Sequence, residues 1–186
     1  ESLEANIEEI LVNADFDALF ERQNAKKNSP VELDVNELSD HDPEEVIGVA
    51  DAGKDDFFGP MVSAAVYCNK ELEKKLFDMG ILSSAQLDIS QLTLLARDIK
   101  KIVPHSLVEM NPSSYNEVFD TVKDQSNMLA WGYAKVIARV LDQQTCPYAL
   151  STPFCDGAMI KAALVNSGKN VAILQRKEAF QNIAVM

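Results

Sequence analysis

Residues 46–68 constrain the fold of this chain more than any other stretch. Val46–Val49 and Met61–Cys68 are short apolar runs rich in Val, Ala and Tyr, and runs of that length and composition read as paired strands. Between them stand Gly53 and Gly59-Pro60. Glycine reaches backbone conformations closed to other residues and proline cannot continue a ladder, so this is turn chemistry. Phe57-Phe58, beside Gly59-Pro60, reads as core next to that turn. Asp51 sits where the first strand gives way to the loop.

The remaining elements follow from periodicity. Glu71–Met79 reads as a short helix closed by Gly80, and Gln91–Ile102 as a second helix ending before Pro104. His105–Met110 alternates like a third strand, and Pro112–Val122 opens a helix with proline suited to its first turn. Asn127–Leu141 places Leu129, Tyr133, Val136, Ile137 and Val140 on one face and is expected in the core, with Met128, Trp131 and Tyr133 serving as packing. Tyr148–Ser151 is a fourth strand. Asp156 is placed to cap a helix over Gly157–Asn166, closed by Gly168. Val171–Leu174 is a fifth strand and Lys177–Met186 begins a last helix. A meander followed by strands alternating with helices implies an α/β fold, with a mixed five-stranded sheet flanked by helices.

Upstream of this block, residues 3–24 carry Ile7, Ile10, Leu11, Ala14, Ala18 and Leu19 at helical steps, with Phe16 and Phe20 widening the apolar face. The helix is expected either to pack on its own domain or to dock a partner. Asn24–Pro43 is a polar, acidic connector. The chain thus divides into residues 1–45, helix and connector, and residues 46–186, the α/β domain. It starts at Glu1 and stops at Met186 inside an apolar, helix-like run, which reads as a piece of something longer, truncated at its last helix.

Composition narrows the function classes. No apolar run approaches the ~20 residues needed to cross a bilayer, so no membrane partner is expected. Cys68, Cys146 and Cys155 show no CxxC or Cys/His ligand spacing, which suits buried, reduced thiols in a cytoplasmic setting. His41 and His105 are far apart, which argues against a histidine metal site. The net charge of −12, from 17 basic and 29 acidic residues, counts against a basic nucleic-acid face.

The segment Ile47-Gly48-Val49-Ala50-Asp51-Ala52-Gly53-Lys54-Asp55-Asp56-Phe57-Phe58-Gly59-Pro60 resembles the signature of the type 2 ribonucleases H, the ribonuclease HIII branch most closely. The likeness continues to Met186. Gly80–Leu87 is similar to a Gly-Val-x-Asp-Ser-Lys-Lys-Leu segment, and Met110–Asn116 to a Leu-x-Pro-x-x-Tyr-Asn stretch. Ala149–Phe154 resembles a strand ending in Asp-Gln-Phe, and Arg176–Ala179 a turn that carries a glutamate before the last helix. The resemblance implies a ribonuclease H-like fold. It also implies four acidic side chains holding two divalent ions, one activating the attacking water and the other stabilising the leaving oxygen.

On that resemblance the four acidic positions fall at Ala50, Asp51, Ser83 and Thr152, and only Asp51 is acidic. Magnesium needs several converging carboxylates, so the chain reads as a degenerate member with most catalytic acids replaced. A site rebuilt from Asp51, Asp56 and Asp156 is the alternative. The substrate-reading parts also depart from the pattern. Gly53 and Lys54 remain in the loop but Asp55 replaces its second glycine; Ala85 replaces a lysine; and Ala179 occupies the glutamate position, with Glu178 adjacent. Gly53, Lys54 and Lys177 are the residual nucleic-acid contacts the resemblance allows; the plainer reading of both lysines is solvated surface.

Three functions are compatible with these residues. The favoured one is a binding or scaffold module without cofactor, for a protein partner or another part of the same polypeptide. The second is a divergent magnesium- or manganese-dependent ribonuclease H cleaving RNA in DNA–RNA hybrids. The third is a nucleic-acid binder that does not cleave.

Overall fold

A computed structural model describes residues 43–81 and 87–185. The expected helix over residues 3–24, the connector as far as residue 42, Ser83 and Ala85 lie outside the described residues. The first half of the domain runs β1 (Glu45–Ala52), β2 (Met61–Asn69), α1 (Lys70–Asp78), α2 (Ile89–Ile102) and β3 (His105–Met110). The second half runs α3 (Pro112–Val122), α4 (Gln125–Leu141), β4 (Tyr148–Ser151), α5 (Gly157–Asn166), β5 (Ala172–Gln175) and a 3-10 turn, Ala179–Gln181.

The five strands form one sheet in the order β3-β2-β1-β4-β5. β1, β2 and β3 pair antiparallel as a meander. β4 joins β1 in parallel, and β5 joins β4 in parallel. The mixed α/β sheet expected from the sequence is thus present. β1 runs further than its apolar run suggests, because Asp51 pairs with Ser63 and Ala52 with Val62. Asp51 thus stands at the end of the strand, as expected, with Ala52 beyond it.

Strand alternation sorts the side chains of β1 onto two faces. Ile47 and Val49 point to a core shared with Tyr133, Val136, Ile137 and Val140 of α4 and with Ile160 and Leu164 of α5. Val46 points the other way, to Leu76 of α1, Leu150, Leu174 and Ala184. The same parity puts Asp51 on the α4 face and Ala50 on the opposite one. Gly48 shares the second face, and a Cβ there would stand 2.1 Å from the Ala184 carbonyl oxygen. Only hydrogen at that position lets the C-terminal turn lie directly on β1.

Each major helix starts where a side-chain oxygen can take an orphan amide. Asn69, Asp88, Asn111, Asp124 and Asp156 cap α1 to α5 in turn, and Asp88 completes a capping box with Gln91. Among the described residues the expected last helix is not seen: residues 177–185 give the 3-10 turn and further turns to Val185. Asn182 explains the stop: its carboxamide oxygen accepts from the Ala184 amide at 3.0 Å, a local bond that competes with helical pairing.

Cys68 and Cys146 are buried and Cys155 is half-buried, all as free thiols. Burial pushes each thiol up to about 11. At pH 8 roughly one thiol in a thousand is then the reactive thiolate. Iodoacetamide is expected to label the native protein slowly and all three sites quickly once it is unfolded, as intact mass would show. Fast native labelling would contradict this packing.

Candidate functional site

The site forms where the end of β1, the loop after it and the first turns of α4 converge. Asp51 points inward, its side chain only 5% exposed. Its Oδ1 accepts a 2.7 Å hydrogen bond from the Tyr133 hydroxyl. Lys54 folds back so that its Nζ stands 3.0 Å from Oδ2 and 3.3 Å from Oδ1. One carboxylate therefore holds a phenol from a helix 82 residues away and an ammonium three residues on.

The loop is fastened in this position. Gly53 has φ +82°, a left-handed conformation, and a Cβ there would come within 2.3 Å of the Pro60 carbonyl oxygen. Asp56 donates its amide to the Gly53 carbonyl, closing a turn. Gln125, in the first turn of α4, donates from Nε2 to the Lys54 carbonyl at 2.8 Å. The lysine that neutralises Asp51 is thereby held by the backbone as well as by its own ion pair.

Tyr133 is the second anchor. It is fully buried, with the Phe154 ring edge-on at 4.5 Å. Burial, reinforced by the hydrogen bond to Asp51, holds its hydroxyl far above the usual phenol range. The group stays protonated and donates. The sequence by itself allows Lys54 as a solvated lysine or a nucleic-acid contact, and nothing local in it points to its pairing with Asp51, to Tyr133 or to Gln125.

The other expected site residues are distributed differently. Ala50 pairs with Ala64 in the ladder, on the sheet face away from Tyr133. Thr152 follows β4 and is half-buried. Ser83 lies outside the described residues. Asp55 and Asp56 are exposed in the loop. Asp156 caps α5, its Oδ1 accepting from the Ala158 amide at 2.9 Å. Among the described residues no three His, Cys, Asp or Glu side chains come together as a metal-holding group. Asp51, Asp56 and Asp156 thus do not converge into the rebuilt site that the sequence allowed.

Among the described residues the donor set offers one buried carboxylate at this place, Asp51, shared between a phenol and an ammonium, whereas a hard cation wants several oxygen ligands. Lys177 is exposed beyond β5 and shares no ion pair with Asp51. Lys54 is two-thirds covered and ion-paired, so it is not the freely solvated lysine of the plainer reading. Phe57 and Phe58 also depart from expectation. They are 92% and 86% exposed, stacked edge-on against each other at 5.0 Å, because the Gly53 turn carries the loop tip away from the sheet.

A family model described as Ribonuclease HII matches residues 47–166, the span from β1 through α5. The chain belongs to the ribonuclease HII family. Within that family it is similar to the Ribonuclease HIII of Protochlamydia amoebophila, at 33% identity over 75% of this chain and 46% of that protein. It is 31% identical to the Ribonuclease HIII of Chlamydia pneumoniae, over 75% of this chain and 48% of the other. The chain therefore spans about half the length of these relatives. The crystal structure of Bst-RNase HIII in complex with Mn2+ superposes with a TM-score of 0.66 at 22% identity, covering 86% of this chain and 57% of that one. At that identity the shared property is the ribonuclease H-like fold, and the manganese belongs to the Bst protein.

Proposed function

We propose that this ribonuclease HII-family domain binds rather than cleaves, as a module for a protein partner or for another part of its own polypeptide. The observation that supports the reading is the state of Asp51: the one acid at the four catalytic positions of the resemblance is shared between Tyr133 and Lys54. Divalent-ion catalysis needs carboxylates free to converge on the ions and on the substrate phosphate. In this reading the chain takes no cofactor. It works in a reducing, cytoplasmic compartment, where its three free thiols are stable. None of the described helices is long and apolar enough to cross a membrane.

The test is a labelled DNA–RNA hybrid incubated in magnesium and, separately, in manganese, beside an Asp51→Asn control. The expected result is no cleavage above the control in either metal, and no rise in melting temperature with manganese. Asp51-dependent cleavage would instead establish a divergent metal-dependent ribonuclease H, the activity that family membership favours. Binding of the hybrid without cleavage, weakened by Lys54→Ala or Lys177→Ala and falling with salt, would favour a nucleic-acid binder.

A further inference from the structure

The face of the sheet opposite Asp51 carries an apolar groove between α1 and α2. Leu76 of α1, Leu92, Leu95 and Ile99 of α2, and Val66 and Ile183 line it. Its volume is about 210 Å³, below the ~300–1,000 Å³ usual for small-molecule sites. Its walls are aliphatic and offer few groups to orient a polar ligand. A row of side chains from a helix suits such a surface better.

α2 shows what is missing. It has a clear apolar stripe, yet none of its 14 residues is buried. It joins the described core through Ile99, while Ile89 and Leu94 stand 80% and 53% exposed. A capped helix with an uncovered apolar stripe is stabilised when a second apolar face packs against it.

We propose that residues 3–24 of the same chain cover this groove, laying the Ile7, Ile10, Leu11, Ala14 and Ala18 stripe along α2. Two observations select this occupant. The first is connectivity. Pro43 and Glu44 line a small recess with Asn182 and Ile183, and Ile183 also lines the groove, so the upstream chain enters at its end. The connector from Asn24 to Pro43 reaches up to about 60 Å when extended, ample for the return.

The second is charge. Residues 1–24 hold seven acidic side chains against Arg22 alone. α1 and α2 hold Lys70, Lys74, Lys75, Arg97, Lys100 and Lys101 against four acids, in a chain of net −12. Lys100 lies one turn from Ala96 at the edge of the stripe, and has no ion-pair partner among the described residues. An acidic amphipathic helix meets attraction there and repulsion over most of the remaining surface. Docking on this side leaves the Asp51 face uncovered, and the short tether holds the segment at high effective concentration.

Hydrogen exchange on the full chain tests the proposal through Ile10→Glu in the segment and Leu95→Glu in the groove. In the parent protein, residues 3–24 and α2 are expected to be protected together. Each variant should accelerate exchange in both about tenfold, while β1 and β2 keep their protection as the control for folding. Lys100→Glu should act in the same direction, and it carries the groove side of the test if Leu95→Glu perturbs the sheet. Exchange in α2 indifferent to Ile10→Glu would overturn the proposal. So would a freely exchanging α2 in the parent chain, which would leave the groove to another protein, or protection that rises with protein concentration, which would assign it to a second copy. None of these outcomes bears on the Asp51 reading, which rests on the other face.

Discussion

Asp51→Ala is expected to lower the free energy of unfolding by about 3 kcal/mol, the order seen when one partner of a buried charged pair is removed. The substitution leaves the Tyr133 hydroxyl, fully buried, without its acceptor. It also leaves the Lys54 ammonium, two-thirds covered, without its counter-ion. An unsatisfied buried donor costs about 1–3 kcal/mol alone, and the stranded cation adds to it. Asp51→Asn keeps an oxygen for Tyr133 and loses only the charge, so a cost nearer 1 kcal/mol is expected. Chemical denaturation without divalent metal measures both. A cluster of metal-binding carboxylates predicts the opposite sign, because neutralising one of several crowded acids relieves repulsion in the metal-free protein. A stabilised Asp51→Ala would therefore remove the structural role assigned to this residue.

Gly48→Ala is expected to cost about 3 kcal/mol, at the upper end for overpacking a core. The added methyl would meet the backbone of Ala184, with the carbonyl oxygen at 2.1 Å and the carbonyl carbon at 2.2 Å. No rotamer change relieves a backbone contact. Either β1 shifts, breaking register with both β2 and β4, or the C-terminal turn lifts off and exposes Ala184 and Leu174. Urea titration gives the loss. A chain ending at Gln181 lacks the clash, so Gly48→Ala should cost far less there, and the shortfall from additivity measures the contact. Equal costs in the two chains would place the strain elsewhere.

The sequence was legible wherever one period governed a segment. His105–Met110, Pro112–Val122, Tyr148–Ser151 and Gly157–Asn166 have the boundaries their patterns implied, and Asp156 caps its helix. Misreadings arose where contacts distant in sequence, or a local side-chain bond, overrode pattern. The apolar run of β1 stops at Val49, but pairing of Asp51 with Ser63 and of Ala52 with Val62 carries the strand further. Phe57-Phe58 looked like core because the residues are apolar, but the turn at Gly53 holds them in solvent. Lys177–Met186 looked helical until the Asn182 side chain took the Ala184 amide.

The same division runs through the site. Sequence alone determined the α/β architecture and the family frame, and the resemblance drew attention to Asp51. Those properties are written in strand alternation, helical period and motif spacing, all of which are local. Tertiary structure decided what Asp51 does. Strand parity turns it toward α4, burial keeps Tyr133 protonated as a donor, and Gln125 fixes the backbone that brings Lys54 back. These contacts join residues up to 82 positions apart. No local pattern encodes them, because each depends on how the sheet and α4 pack together.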